Sequence, residues 1–225
     1  ASDGDVFGID VATGTSTNLT PHQGNVLHVA SALSPDGKSL LISSNAKGGY
    51  QNVALLDIAT GRLTWVTDTR WEAKAGDFSP SGRSLTYTLN ADGRSDVYQV
   101  DIATLRTEKL PLKSGINTLA ATQGSYAPSG NRLLLSHESS AEPVNFWVHD
   151  TVSGRDMQIT QTAIASLGSA VMREAQIVHY KSFDGLDIPA ILFMPKGASA
   201  ENPVPAVIDV HGGPGGQSRK GYAAM

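Results

Sequence analysis

The chain has 225 residues, enough to bury a sizeable core in one large domain or two small ones. Charged residues make up 17% of it, and 23 glycines and 11 prolines favour short strands and many turns over long helices. Seventeen basic and 21 acidic side chains leave a charge of −4 with no Lys/Arg stripe, which argues against a nucleic-acid partner, and the lack of cysteine excludes disulfides and thiolate metal sites.

No apolar run approaches the roughly 20 residues that span a bilayer, and the opening "ASDGDVFG" has neither region of a signal peptide. The expectation is a soluble chain without a membrane partner, in the cytoplasm or the periplasm, since a chain without thiols suits both.

From its start the sequence repeats. "DVATG" at Asp10, "DIATG" at Asp57, "DIATL" at Asp101 and "DTVSG" at Asp150 are spaced by 47, 44 and 49 residues. A second turn recurs in phase, as "SPDG" from Ser34, "SPSG" from Ser79 and "APSG" from Ala127. Proline presets the first central position of a turn and glycine tolerates positive φ, so each tetrapeptide reverses the chain at little steric cost.

Between the turns lie runs rich in β-branched and aromatic residues: "SLLIS" (39–43), "NVALLDI" (52–58), "RLTWVT" (62–67) and "SLTYTL" (84–89). Four strands in a repeat of this length make a propeller blade. About three complete blades fit in residues 1–162, fewer than the 4 to 8 that close a ring. The polypeptide is therefore expected to be longer than these residues.

After "DMQITQT" (156–162) the period fails. Residues 163–175, "AIASLGSAVMREA", read as a connector with room for a short helix. Residues 176–225 open with a hairpin turning at Asp184-Gly185, whose second strand runs over 188–194. "PVPAVIDV" follows, an aliphatic run bounded by prolines and expected as a strand covered on both faces of a largely parallel sheet. The expected fold is thus mostly β, with four-stranded antiparallel propeller blades followed by the first strands of an α/β domain.

The run delivers "HGGPGG" just beyond its carboxyl end, where open α/β sheets place ligands. A phosphate loop fails here, because Tyr222 and Ala223 stand where Lys and Ser/Thr would hold phosphate and magnesium. A dinucleotide fingerprint is weak, because Ser218 takes the third glycine's place and Pro214 interrupts the turn. A His-Gly-Gly oxyanion loop suits the residues, since glycine lets a backbone N–H approach a substrate carbonyl. A tight turn without chemistry is the alternative.

The chain resembles the prolyl oligopeptidase family of serine peptidases, near its acylaminoacyl peptidase and dipeptidyl aminopeptidase branches. The resemblance rests on the blade turns, on "SHESSAEPVNFWVHD" (136–150) and "YKSFDGLDIPAILFMPKG" (180–197), and on "VIDVHGGPGGQSR" (207–219). It implies a propeller that restricts access to an α/β-hydrolase domain carrying a Ser-Asp-His triad, peptide substrates and no cofactor. Carried over, Gly213 and then Gly212 would supply oxyanion-hole N–H groups, with His211 and Pro214 supporting the loop. Glu138 and Glu142 would be candidates for binding a substrate's free amino terminus, against the plainer view of them as solvated loop residues.

No G-x-S-x-G occurs in the 225 residues. Because the triad follows this loop in the order Ser, Asp, His, its members are expected outside the chain, on the remainder of its own polypeptide. None of His22, His28, His137, His149, His179 and His211 can then be the general base, and Asp209 is better taken as a structural carboxylate. His149-Asp150 lacks a second ligand pair at zinc-like spacing, so no metal site is expected. The competing functions are a binding or scaffold protein on a TolB-like propeller and an α/β-hydrolase esterase. Homo-oligomerisation is left open.

Overall fold

A computed structural model of the chain describes residues 3–120, 124–162, 172–213 and 215–222. The described residues form strands and turns, with no helix. A two-stranded piece, β1 (Phe7–Ile9) and β2 (Ser16–Asn18), leads into three four-stranded units. The first is β3 (His28–Leu33), β4 (Ser39–Ser44), β5 (Asn52–Asp57) and β6 (Leu63–Trp65). The second is β7 (Glu72–Phe78), β8 (Ser84–Ala91), β9 (Arg94–Asp101) and β10 (Thr107–Lys109). The third is β11 (Ile116–Leu119), β12 (Arg132–Glu138), β13 (Asn145–Asp150) and β14 (Asp156–Gln158).

Within each unit every pairing is antiparallel and joins strands adjacent in sequence, which makes a propeller-like array of blades. The first strand of the third unit, β11, meets the start of β9 in the second through one parallel pair, Ile116↔Ser95.

The two repeated turns account for this regularity. Antiparallel strands reverse direction at each step, so the turn from first to second strand and the turn from third to fourth lie at the same end of a blade. In the first kind, the amides of Gly37, Gly82 and Gly130 each donate to the carbonyl three residues back at 2.8 Å. In the second kind, the Asp carboxylate accepts the amides of Thr13, Thr60, Thr104 and Ser153 at 2.8–2.9 Å. The turns are also tied to each other: Ile58, Ile102 and Thr151 donate their amides to Lys38, Arg83 and Asn131 carbonyls at 3.0 Å. The hydrogen bonds from Thr13, Thr60, Thr104 and Ser153 hold the Asp10, Asp57, Asp101 and Asp150 carboxyls below their ordinary pKa.

One turn departs from the pattern. Gly14, Gly61 and Gly154 take φ of 71°, 70° and 68°, but the third turn places Leu105 there at φ 55°. A side chain in this left-handed region costs about 1–2 kcal/mol.

The core lies between blades. Leu41 and Ile42 are adjacent on β4 and both wholly buried. Leu41 joins Val53 of its own unit and Ala75, Phe78, Leu85, Tyr87 and Val100 of the next, whereas Ile42 packs with Ala54, Leu56 and Leu19 on the other face. Successive strand residues point to opposite faces, so a run of buried apolar residues means a sheet covered on both sides. Val97, Leu110, Leu133 and Leu135 continue the packing between the second and third units.

A second recurring device lies on the outer strands. The Thr67 hydroxyl accepts the Val53 amide at 2.8 Å and donates to Asn52 Oδ1 at 2.9 Å. Thr160 does the same to the Phe146 amide at 2.8 Å and Asn145 Oδ1 at 3.2 Å, and Thr20 to the Val6 amide at 2.8 Å and Asp5 at 3.1 Å. By taking a ladder amide, Thr67 ends β6 at Trp65, short of the 62–67 expected. In the second unit Asp96 takes the Asn position, buried, with Lys109 Nζ at 2.8 Å and Arg94 Nε at 3.4 Å.

Beyond the blades, β15 (Gln176–Lys181) and β16 (Asp187–Leu192) form the expected hairpin, with Lys181 opposite Asp187 and Gly185 at φ 85° in the turn. The second strand ends at Leu192 and not at Met194. Residues 163–171 of the connector lie outside the described residues. Residues 203–210, expected as a strand covered on both faces, run without strand pairing, with Val207, Ile208 and Val210 at 94%, 87% and 82% exposure. A buried strand requires a hydrogen-bonded neighbour at its edges and a layer on each face, and none of the described segments provides them.

Candidate functional site

The glycine loop follows this exposed run, and its backbone explains its composition. Gly213 adopts φ 120°, a conformation open in practice only to glycine. A Cβ on Gly216 would stand 2.7 Å from the Gly212 carbonyl oxygen, so the loop folds back on itself where a side chain would not fit. His211 Nδ1 donates to the same Gly212 carbonyl at 3.2 Å. The imidazole thus braces its own loop, and Gly212 and Gly213 are solvent-exposed. Pro214 lies outside the described residues.

The two candidate carboxylates have internal partners. Glu142, half-exposed, sits 3.3 Å from Lys113 Nζ and 3.7 Å from His137 Nε2. Glu138 Oε2 accepts the Tyr222 amide at 3.3 Å. The structure therefore engages both side chains with the protein itself, and brings Glu138, though not Glu142, into contact with the segment that follows the glycine loop.

The histidines are structural in their surroundings. His137 is buried with Nδ1 2.8 Å from Asn117 Oδ1, and burial pushes its pKa down. Burial does the same to His28, with help from His22. His149 is wholly buried with Nδ1 2.7 Å from Asp156, but its Nε2 is buried without a hydrogen-bond partner, so this pair presents no base to a nucleophile. His179 pairs with exposed Asp187 at 2.9 Å. Among the described residues no three His, Asp or Glu side chains converge as a metal ion would require.

A small cavity beside Lys113, His137, Trp147 and Asp156 has a volume of about 10 Å³, room for a water and not for a peptide. Lys113 Nζ stands over the Trp147 ring at 4.8 Å from its centre. The residues that sequence reasoning passed over are Gln217, Arg219 and Lys220, which fasten the glycine loop's trailing end to the blades. Their signal was a polar run, "QSRK", directly after the glycines.

No protein-family model matches the chain. Among curated proteins, 138 residues are 28% identical to the Tol-Pal system protein TolB of Francisella tularensis, covering 60% of this chain and 30% of that protein's length. The chain thus spans less than a third of the curated relative it matches. Among solved structures it is similar to TolB from Acinetobacter baumannii, with a TM-score of 0.56 at 21% identity over 83% of this chain and 48% of the other. It is also similar to dipeptidyl peptidase 4 of Porphyromonas gingivalis, with a TM-score of 0.65 at 16% identity over 84% of this chain and 27% of the other. A puromycin hydrolase gives a TM-score of 0.62 at 21% identity, over 79% and 27% of the two chains. At these identities the likeness establishes the propeller-type fold, which TolB proteins and peptidases of the prolyl oligopeptidase type share.

Proposed function

We propose that this chain is part of a serine peptidase of the prolyl oligopeptidase type, in which residues 1–162 restrict access to short peptides, 163–175 connect, and 176–225 open an α/β-hydrolase domain. The observation that carries this proposal is the glycine loop. A histidine braces a turn whose two central glycines are exposed, and one of them adopts a backbone conformation that favours glycine. In the reaction a serine hydroxyl attacks the peptide carbonyl, its proton passing to a histidine held by an aspartate, and the carbonyl oxygen becomes an alkoxide. The Gly213 N–H, and then Gly212, would donate to that oxygen; one such donor lowers the barrier by about 2.7–4 kcal/mol. Collapse of the intermediate expels the amine, which takes the proton from histidine, and water then releases the acyl group. The serine, aspartate and histidine come from residues outside these 225.

The exposed Val207, Ile208 and Val210 fit this proposal, because a central strand of such a sheet would bury them against the rest of the polypeptide.

A second function, a TolB-like binding or scaffold propeller, is favoured by the curated relatives and accounts for the blades equally well. A serine-directed fluorophosphonate probe separates the two. The full-length polypeptide is expected to be labelled at one serine outside residues 1–225, and this chain alone to remain unlabelled. An unlabelled full-length protein would leave the scaffold. Turnover of short peptides compared with simple esters by the labelled protein then separates peptidase from esterase.

A further inference from the structure

Residues 217–222 pass across the end of the blades opposite the repeated turns, where the second strand of a unit turns into the third. They meet two units there. Gln217 Oε1 accepts from Asn90 Nδ2 at 2.8 Å, the Lys220 amide donates to the Gly93 carbonyl at 2.6 Å, and Arg219 donates to the Ser95 hydroxyl. All three partners lie on the β8–β9 hairpin. On the neighbouring unit, the Tyr222 amide reaches Glu138 Oε2, while Lys220 Nζ pairs at 3.3 Å with Glu174 of the connector. Glu174 is itself held by the Ser139 hydroxyl at 2.5 Å and Ser140 at 3.3 Å, from the β12–β13 turn.

The strap lies in contact with both units. A Cβ on Gly93 would stand 3.4 Å from the Ser218 carbonyl oxygen, and one on Gly221 would stand 2.9 Å from Glu138 Oε1 and 3.5 Å from Ile116.

The line these residues cross is the seam between the second and third units. The second and third units share one paired position, Ile116↔Ser95. Ser95 is 5% exposed and its polar groups all serve the seam: its amide donates to the Gly115 carbonyl at 2.9 Å, its carbonyl accepts Asn117 Nδ2 at 3.1 Å, and its hydroxyl accepts Arg219. Burial raises the Glu174 pKa, but the hydrogen bonds from Ser139 and Lys220 outweigh it and keep the carboxylate charged.

We propose that residues 217–222 are a strap that closes the seam between the second and third units, and that Glu138 and Glu174 are its positioning residues, fixing where Gly215 and Gly216, which precede it, sit relative to the blades. The strap is a property of the fold; only the value of fixing the loop rests on the peptidase proposal above. Blade contacts and loop position then change together, because the same six residues carry both.

Trypsin reads the strap directly, since it cleaves after Arg219 and Lys220. In the full-length polypeptide, Glu138→Ala with Glu174→Ala is expected to speed native-state cleavage at these two bonds at least tenfold. Cleavage after Lys181, on the exposed hairpin, should keep its rate, and so should the strap bonds in Glu142→Gln, whose partner is Lys113. Equal rates at Arg219 and Lys220 in the double variant and the parent would overturn the proposal. A second measurement covers the case in which the double variant does not fold. The chain has no cysteine, so Asn90→Cys with Gln217→Cys should be joined within one molecule by a short bismaleimide. Failure to cross-link would refute the strap whatever trypsin shows. Neither readout involves turnover, so the strap can fail while fluorophosphonate labelling stands, and the reverse.

Discussion

Strand β4 and residues 207–210 are both short aliphatic segments, "SLLISS" and "VIDV", yet Leu41 and Ile42 are wholly buried and Val207 and Ile208 are almost fully exposed. The difference lies in their neighbours. β4 is paired along its length with β3 and β5 and covered by a core on each face, while 207–210 has no paired strand among the described residues. An aliphatic run states that a segment will be buried; the surrounding elements decide whether it is. The strap marks the boundary between the two regimes, because after the glycine loop the chain again finds partners on the blades.

Truncation on either side should separate these regions by the largest margin. Leu41→Ala is expected to cost about 2–5 kcal/mol in chemical denaturation, because it opens a cavity between two units. Val207→Ala in the same chain should stay within about 0.5 kcal/mol. A cost at Val207 comparable with that at Leu41 would mean that 207–210 is covered after all, and the contrast would collapse.

Acid should weaken the blades before it touches their turns. His28 and His137 have folded pKa values below the ordinary 6.5, so the unfolded chain binds their protons more tightly. Stability is then complete above pH 6.5 and falls as the pH drops below that value toward the folded pKa. The Asp carboxyls of the turns are also lowered, from 3.8, so their contribution persists until the pH falls below that value. Urea midpoints should decline between pH 6.5 and 5 in the parent chain and flatten in His28→Gln with His137→Gln. An unchanged slope would show that the buried imidazoles are not neutral in the fold.

The smallest effect sharpens the contrast within the blades themselves. Leu105 occupies the left-handed position that glycine holds in the other three Asp-turns. Leu105→Gly should raise stability by up to about 1 kcal/mol, the relief of strain exceeding the entropy that glycine adds to the unfolded chain. Gly61→Leu should lose a similar amount. Equal midpoints for all three chains would mean that the turn tolerates either residue.

Much of the blade architecture was legible in the residues. Asp10, Asp57, Asp101 and Asp150, with the Pro-Gly turns between them, marked the first and last of the three reversals of each unit because their chemistry is local: the carboxylate accepts amides two or three residues on, and the glycine amide donates to a carbonyl three residues back. The Asn52–Thr67 and Asn145–Thr160 locks were not legible, since their partners are 15 residues apart and blade two substitutes Asp96. At the glycine loop, composition revealed a tight turn. It did not reveal that Glu138 would be taken up by the Tyr222 amide, 84 residues away.

The sequence by itself determined the turns and the repetition of the units, because hydrogen bonds and torsional preferences within a few residues are written in the residues that make them. The tertiary structure decided which aliphatic runs are buried, which carboxylates are engaged and where the glycine loop is fastened. Each of those depends on distant segments coming together, and burial and pairing are properties of a neighbourhood and not of a segment.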